Sequence, residues 1–315
     1  MSKIFDLHCD TLTACKAPGR CRDTLNDPQA AFSLSRIPKG TNWAQCCAIF
    51  VPDELGEEES LAFFRTHVES FRRQTALFEE MAAVCRTASE AERAWEQGKT
   101  ALFLTVENGS VLGRDLGRVE ELAREGVVMV TLTWNGENAI GSGKVTQHGL
   151  SDFGRLAAKE LQKNGILLDV SHLNDPGFWD LMETVDGPVV ASHSNARALC
   201  NHPRDLTDEQ VREIARRGGL IGLNYFPPFL RDDGQQVELE DVYRHAVHLL
   251  ELGMEDGLAL GSDFDGADLP PCLDGCERVL DLGEYLDKRL GSAQTEKIMW
   301  KNAFTFFQSH LAARS

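Results

Sequence analysis

The segment Lys3-Ile4-Phe5-Asp6-Leu7-His8-Cys9-Asp10-Thr11 decides how the rest of the chain is read. It begins as a short strand-like run and ends on an imidazole and a carboxylate two positions apart. An open, doubly wound nucleotide-binding sheet would place a glycine-rich phosphate turn after its first strand. His8-Cys9-Asp10-Thr11 contains no glycine, so that architecture is set aside. Residues i and i+2 of an extended chain point the same way, so His8 and Asp10 can reach one ion. Cys9 lies between them and points away, which removes it as a nucleophile.

Seven further runs read as strands after 3–8: residues 44–50, 100–106, 127–133, 166–171, 189–193, 220–225 and 258–263. They are rich in Val, Ile and Leu with little alternation, the pattern of parallel strands covered on both faces. Amphipathic stretches separate them. Leu61, Phe64, Val68, Phe71, Phe78 and Met81 follow helical spacing. Thr207 and Gln210 form a capping box, and Gly218 stands where a glycine would end that helix. Gly126, Gly165 and Gly253 sit just ahead of strands, as glycines of helix-to-strand loops do. Eight such units predict an α/β fold, a single (β/α)8 TIM-type barrel spanning residues 1–315 as one domain. At 315 residues the chain exceeds the roughly 250 that such a barrel needs.

Polar residues fall at the ends of these strands. His8 and Asp10 close the first, Glu107 the third, His172 the fifth, His193 the sixth and Asp263 the eighth. A barrel gathers those ends on its C-terminal face, so six dispersed residues would meet there. Singly each has a plain reading: Glu107 as a helix cap, His172 and His193 as core histidines, Asp263 and Asp265 as turn formers. Jointly the plain readings must coincide with five separate strand ends. A calcium loop at 261–266 would need a third acidic position and a later Glu in register, and both are missing. Imidazole with carboxylate suits Zn²⁺, with Mn²⁺ or Co²⁺ as substitutes. Six ligands exceed the needs of one catalytic zinc, so the expected site holds two Zn²⁺ per chain sharing a carboxylate.

The formal net charge is −17, from 49 acidic and 32 basic residues. Phosphate and anionic membranes need clustered cations, so neither nucleic acid nor a membrane surface is an expected partner. No apolar run reaches the length of a membrane helix. Met1-Ser2-Lys3 leads straight into the first strand with no secretory pattern, and the nine cysteines are read as reduced thiols of a cytoplasmic protein. Cys272 and Cys276 have zinc-like spacing but lack a second pair.

The motifs Phe5-Asp6-Leu7-His8-Cys9-Asp10-Thr11, Val106-Glu107-Asn108-Gly109, Leu168-Asp169-Val170-Ser171-His172, Ala191-Ser192-His193-Ser194 and Gly261-Ser262-Asp263-Phe264-Asp265-Gly266 resemble, in order and spacing, those of the renal-type (membrane) dipeptidases of peptidase family M19. The resemblance spans essentially the whole chain. It implies that His8 and Asp10 bind one zinc, that His172 and His193 bind the second, and that Glu107 bridges them. Asp263 would lie beside the first zinc as general base and acid. Arg204, in the stretch His193 to Asp205, falls where the family places the arginine for the substrate's terminal carboxylate; Arg197 is its neighbouring rival. The family often reads Leu-Thr-His after the fourth strand, with the histidine near the scissile carbonyl. Here Leu132-Thr133 is followed by Trp134 and Asn135, which take the substrate-facing positions. Trp134 can donate a hydrogen bond but cannot accept a proton or carry charge. The implied function is zinc-dependent hydrolysis of a dipeptide amide, tolerating a D-residue at the C-terminal position, in a chain that pairs as a homodimer in many relatives. The rivals are an amidohydrolase acting on another amide, lactam, lactone or phosphoester, and a metal-binding sensor or scaffold without turnover.

Overall fold

The computed structural model describes residues 2–14 and 24–311. Nine strands form one parallel sheet: β1 (Lys3–Cys9), β2 (Asn42–Phe50), β3 (Ala82–Val84), β4 (Thr100–Glu107), β5 (Met129–Thr131), β6 (Leu167–Asp169), β7 (Val190–Ala191), β8 (Leu220–Leu223) and β9 (Leu258–Leu260). β1 pairs with both β2 and β9, and β2 pairs with β4 from Ala44↔Ala101 to Phe50↔Glu107. That last pairing closes an eight-stranded barrel, leaving β3 as a short flap on β4. The expected (β/α)8 fold is therefore observed, and all eight expected strands are present.

Two local readings needed correction. The run from Leu61 to Met81 is not helical throughout: α1 (Glu57–Leu77) stops before Phe78, and Met81 leads into β3, which the sequence did not reveal. Three residues carry too little periodicity to signal a strand. The later strands are also shorter than expected. His172, His193 and Asp263 stand two or three residues beyond β6, β7 and β9 rather than on their last residues.

Helices α2 (Ala88–Glu96), α3 (Gly117–Glu125), α4 (Asp152–Lys163), α5 (Asp175–Thr184), α6 (Asp208–Arg216), α7 (Leu239–Glu251), α8 (Val279–Leu290), α9 (Ser292–Glu296) and α10 (Asn302–His310) complete the chain. The Thr207–Gln210 box caps α6, and Gly218 follows it at φ +67°. Among the described residues no helix is long and apolar enough to cross a membrane. Seven cysteines are free thiols; Cys15 and Cys21 lie outside the described residues.

Strand alternation builds the interior in layers. Phe5, Phe103, Met129, Leu167, Val190, Leu220 and Ala259 share one buried apolar cluster with Phe307 of α10. Intervening residues such as Ile4, Leu102, Val130, Leu168, Ala191, Ile221 and Leu260 belong to the layer under the helices. Phe5, Phe103 and Phe307 pack their rings 4.7–5.4 Å apart and plug the N-terminal end of the barrel. Continuing along the same inward face come Thr105, Thr131, Asp169 and Ser192, all buried. Glu107 follows Phe103 and Thr105 on that face, so β4 alone spans floor to mouth.

Candidate metal centre

β1 reaches the mouth by a different route. Asp6 pairs with Gln45 but Cys9 pairs with Cys47, so β1 spends three residues where β2 spends two. Such a bulge shifts side-chain parity. Phe5 and Leu7 join the barrel-floor cluster, whereas Cys9 packs in the outer layer. His8 and Asp10 are thereby turned towards Glu107, and Cys9 away from it.

Six side chains converge. His8 Nε2 lies 3.5 Å from Asp10 Oδ2, 3.5 Å from Glu107 Oε2 and 3.9 Å from Asp263 Oδ1. On the other side, Glu107 Oε1 lies 2.8 Å from His172 Nε2 and 3.6 Å from His193 Nε2, and those two nitrogens are 3.0 Å apart. Glu107 thus presents one oxygen to each group. The donor set fits divalent cations. His8 Nε2 and Asp10 Oδ1 are buried without a hydrogen-bond partner, and the His172 and His193 ring nitrogens, 3.0 Å apart, are close enough to share one cation as well as one proton. The sets His8–Glu107–His193 and His8–Asp10–Asp263 have the spacing of metal ligands; among the described residues no comparable group includes Cys272 or Cys276.

The electrostatics agree. Burial, then the charge of Asp10, pushes Glu107 up to about 8. Burial and then His8 hold His193 well below the ordinary histidine range, and burial and then Arg204 do the same to His172. Neutral imidazoles are what a cation requires of its ligands. For His8, burial disfavours the charged form, but Asp10 and Glu107 outweigh it and raise the ring's pKa.

Backbone strain marks the same place. Among the described residues, four non-glycine residues have positive φ: Asn108 (78°), His172 (70°), Asp263 (62°) and Asp265 (66°). Two are members of the cluster and two flank its members, as strained positions at functional sites do. A Cβ at Gly266 would overlap Asp10 Oδ2 and Asp263 Oδ1, so only glycine lets those carboxylates approach.

Several supporting residues had no separate signal in the sequence. Asp169 Oδ2 accepts from Thr131 Oγ1 at 2.6 Å and Ser192 Oγ at 2.5 Å, while its Oδ1 accepts from the Ser171 and Ser192 amides at 2.9 Å. Ser192 Oγ, its proton committed to Asp169, accepts from His193 Nδ1 at 2.7 Å. That order leaves the His193 Nε2 lone pair facing Glu107. Asn224 Nδ2 donates to Asp263 Oδ2 at 3.1 Å, leaving Oδ1 for the cluster. The Asp169-Val170-Ser171-His172 spacing was visible, but the reach across strands was not.

A cleft of about 480 Å³ opens over the cluster and includes Glu107, Phe50, Trp134, Asn135, Arg204 and Asp263 in its lining. Arg204 is 5% exposed, its guanidinium carbon 5.3 Å above the Phe229 ring, with Nε and Nη2 unpartnered. Its neighbour Asp205 is buried, and burial pushes its carboxyl up to about 8, so little of its charge is available to Arg204 at neutral pH. Arg197 is instead consumed by Asp175, with two hydrogen bonds of 2.7 and 2.8 Å. Trp134 packs edge-on to Phe50 at 4.9 Å, and Asn135 Oδ1 lies 3.4 Å from His172 Nδ1. Asp265 accepts from Thr11 Oγ1 and the Ala31 and Phe32 amides, tying loops together.

Comparison with known proteins matches these features. The family model for membrane dipeptidase (peptidase family M19) covers residues 1–314. A solved metallopeptidase described as dipeptidase AC of family M19 is 27% identical with a TM-score of 0.92, covering 99% of both chains. A metallopeptidase from Rhodobacter sphaeroides, liganded with a phosphinate mimic of the dipeptide L-Ala-D-Ala, is 26% identical with a TM-score of 0.90 and the same coverage. An uncharacterised protein in the pqqA 5′ region of Klebsiella pneumoniae is 35% identical over 237 residues, 70% of this chain and 85% of that one. The fold, the converging ligands and the family match agree: the chain belongs to the membrane dipeptidases of peptidase family M19 and is a metallo-dipeptidase.

Proposed function

We propose that the protein hydrolyses dipeptides with two zinc ions, one held by His8, Asp10 and Glu107 beside Asp263, the other by Glu107, His172 and His193. Zinc suits this nitrogen and oxygen donor set. Two bound cations supply Lewis acidity and make water acidic enough to attack an amide at neutral pH. Asp263 Oδ1, with Oδ2 held by Asn224, takes the proton of the attacking water and delivers it to the leaving nitrogen. Arg204 binds the substrate's terminal carboxylate. Its unpartnered Nε and Nη2 form one edge of the guanidinium, the edge that matches a carboxylate bidentately. Trp134 and Asn135 line the cleft beside His172 and limit its width.

The observation that carries this reading is the polarity of the cleft. Arg204 stands on the segment after β7, while Asp263, Asp265 and Asp268 come from the segment after β9 and Asp10 from the one after β1, two and three strands away around the barrel ring. A zwitterionic dipeptide carries the complementary charges, a carboxylate for Arg204 at one end and an ammonium for the acidic side at the other. Tolerance of a D-residue at the C-terminal position is supported by the L-Ala-D-Ala mimic held by the Rhodobacter sphaeroides relative. The test is a dipeptide panel varying chirality at the second position, run on zinc-loaded and chelated protein. Turnover that disappears with chelation, and Asp263→Ala protein that keeps zinc but loses activity, are expected. A flat response across the panel, or full activity in the variant, would overturn the reading.

A further inference from the structure

A second cation shares the cleft with Arg204. Lys144 stands on the segment between β5 and α4, whose course is set by the Gly143 amide donating to the Gly136 carbonyl at 2.8 Å and by a bridge between Glu137 and Ser142. It lines the same cleft as Arg204, His202 and His172. Its ammonium has no carboxylate partner among the described residues, in a chain that carries 49 acidic residues against 32 basic ones. Partial burial and then the charge of Arg204 hold Lys144 below the usual lysine range. His202 of the same cleft adds no third positive charge at neutral pH, because burial and then Lys144 lower its pKa to about 4. Among the described residues neither cation is held in an ion pair, and the carboxylates Asp10, Glu107 and Asp263 in the same cleft belong to the metal cluster, so a substrate anion that touches both cations is attracted by each.

One carboxylate does not need both cations. The Nε and Nη2 edge of Arg204 satisfies an α-carboxylate by itself. Lys144 is a point charge on a flexible stem, suited to a group whose position varies by a methylene or two. We propose that Lys144 forms a subsite for a second carboxylate, so that preferred substrates are dipeptides whose C-terminal residue has an acidic side chain. This inference rests on the dipeptidase reading.

The test compares L-Ala-D-Asp, L-Ala-D-Glu, L-Ala-D-Ala and L-Ala-D-Lys, and their L,L counterparts, as substrates of the zinc-loaded enzyme. The acidic dipeptides should exceed L-Ala-D-Ala in kcat/KM by about tenfold. Lys144→Met should bring that ratio close to unity through KM, and Lys144→Glu should move the preference to L-Ala-D-Lys. An unchanged ratio in Lys144→Met overturns the subsite, as does an equal loss for every dipeptide, which would make Lys144 a partner of the α-carboxylate. If no dipeptide is cleaved, the dipeptidase reading fails. Calorimetric titration of L-Ala-D-Asp and L-Ala-D-Ala into zinc-loaded wild type and Lys144→Met then decides the subsite: tighter L-Ala-D-Asp binding confined to wild type supports it, and equal affinities overturn it.

Discussion

The floor and the mouth of the barrel are built by the same strands and obey opposite rules. At the floor, Phe5, Phe103 and Phe307 fill space with rings and no polar atom. At the mouth, three carboxylates and three imidazoles are crowded where burial penalises charge, on backbone that includes left-handed residues. Between them lies a layer of hydroxyls and one carboxylate, Thr105, Thr131, Ser192 and Asp169, which passes hydrogen bonds upward to His193. The contrast teaches that stability and chemistry are separated along the barrel axis, as expected where catalytic groups come from strand ends.

Substitutions at the two ends should therefore fail differently. Glu107→Gln keeps the volume but removes the charge shared by both ligand groups. We expect kcat/KM to fall by more than about a thousandfold and bound metal to fall with it, measured by kinetics and elemental analysis of the same sample. An active, metal-replete variant would break the division. Phe103→Ala should do the converse: about 3–5 kcal/mol less stability in urea denaturation, with metal content per folded molecule retained. Ser192→Ala tests the middle layer. Losing the acceptor for His193 Nδ1 should weaken metal binding about 10- to 100-fold in competition with a chromogenic chelator, with a stability loss of about 1–3 kcal/mol from the hydrogen bond to Asp169 removed with it.

The smallest effect concerns Asp205. Its carboxyl titrates at about 8 when folded, against an ordinary value of 3.8. Between those values the unfolded chain has released a proton that the folded chain retains, so this group lowers stability as pH rises through the window. Asp205→Asn removes the dependence. The difference in unfolding free energy, variant minus wild type, read from urea denaturation at each pH, should grow from pH 4 to pH 8 and level off above it. A difference independent of pH would show that Asp205 is charged in the fold.

Much of this was legible beforehand because the information is local. An apolar, β-branched run needs only its own residues to read as a buried strand, and His8-Cys9-Asp10 announces ligand chemistry by composition and spacing. The three-residue β3 was missed for want of length, and α1 was extended past Leu77 because Phe78 and Met81 keep the helical rhythm without keeping the helix. Asp169, Ser192 and Asn224 were missed as partners of His193 and Asp263 because buried polar residues on strands look alike until their neighbours are known.

What the sequence by itself determined is the order of strands and helices and the kinds of donor waiting at the strand ends. Both follow from periodicity and side-chain chemistry, which are properties of the chain in isolation. Tertiary structure alone decided which way each donor faces. The bulge in β1 turns His8 and Asp10 inward and Cys9 outward, and closure of β2 on β4 fixes Glu107 between the two ligand groups. It also left Arg204 without a partner and gave Arg197 to Asp175. Parity and pairing depend on the register between strands distant in sequence, and no single segment carries that register.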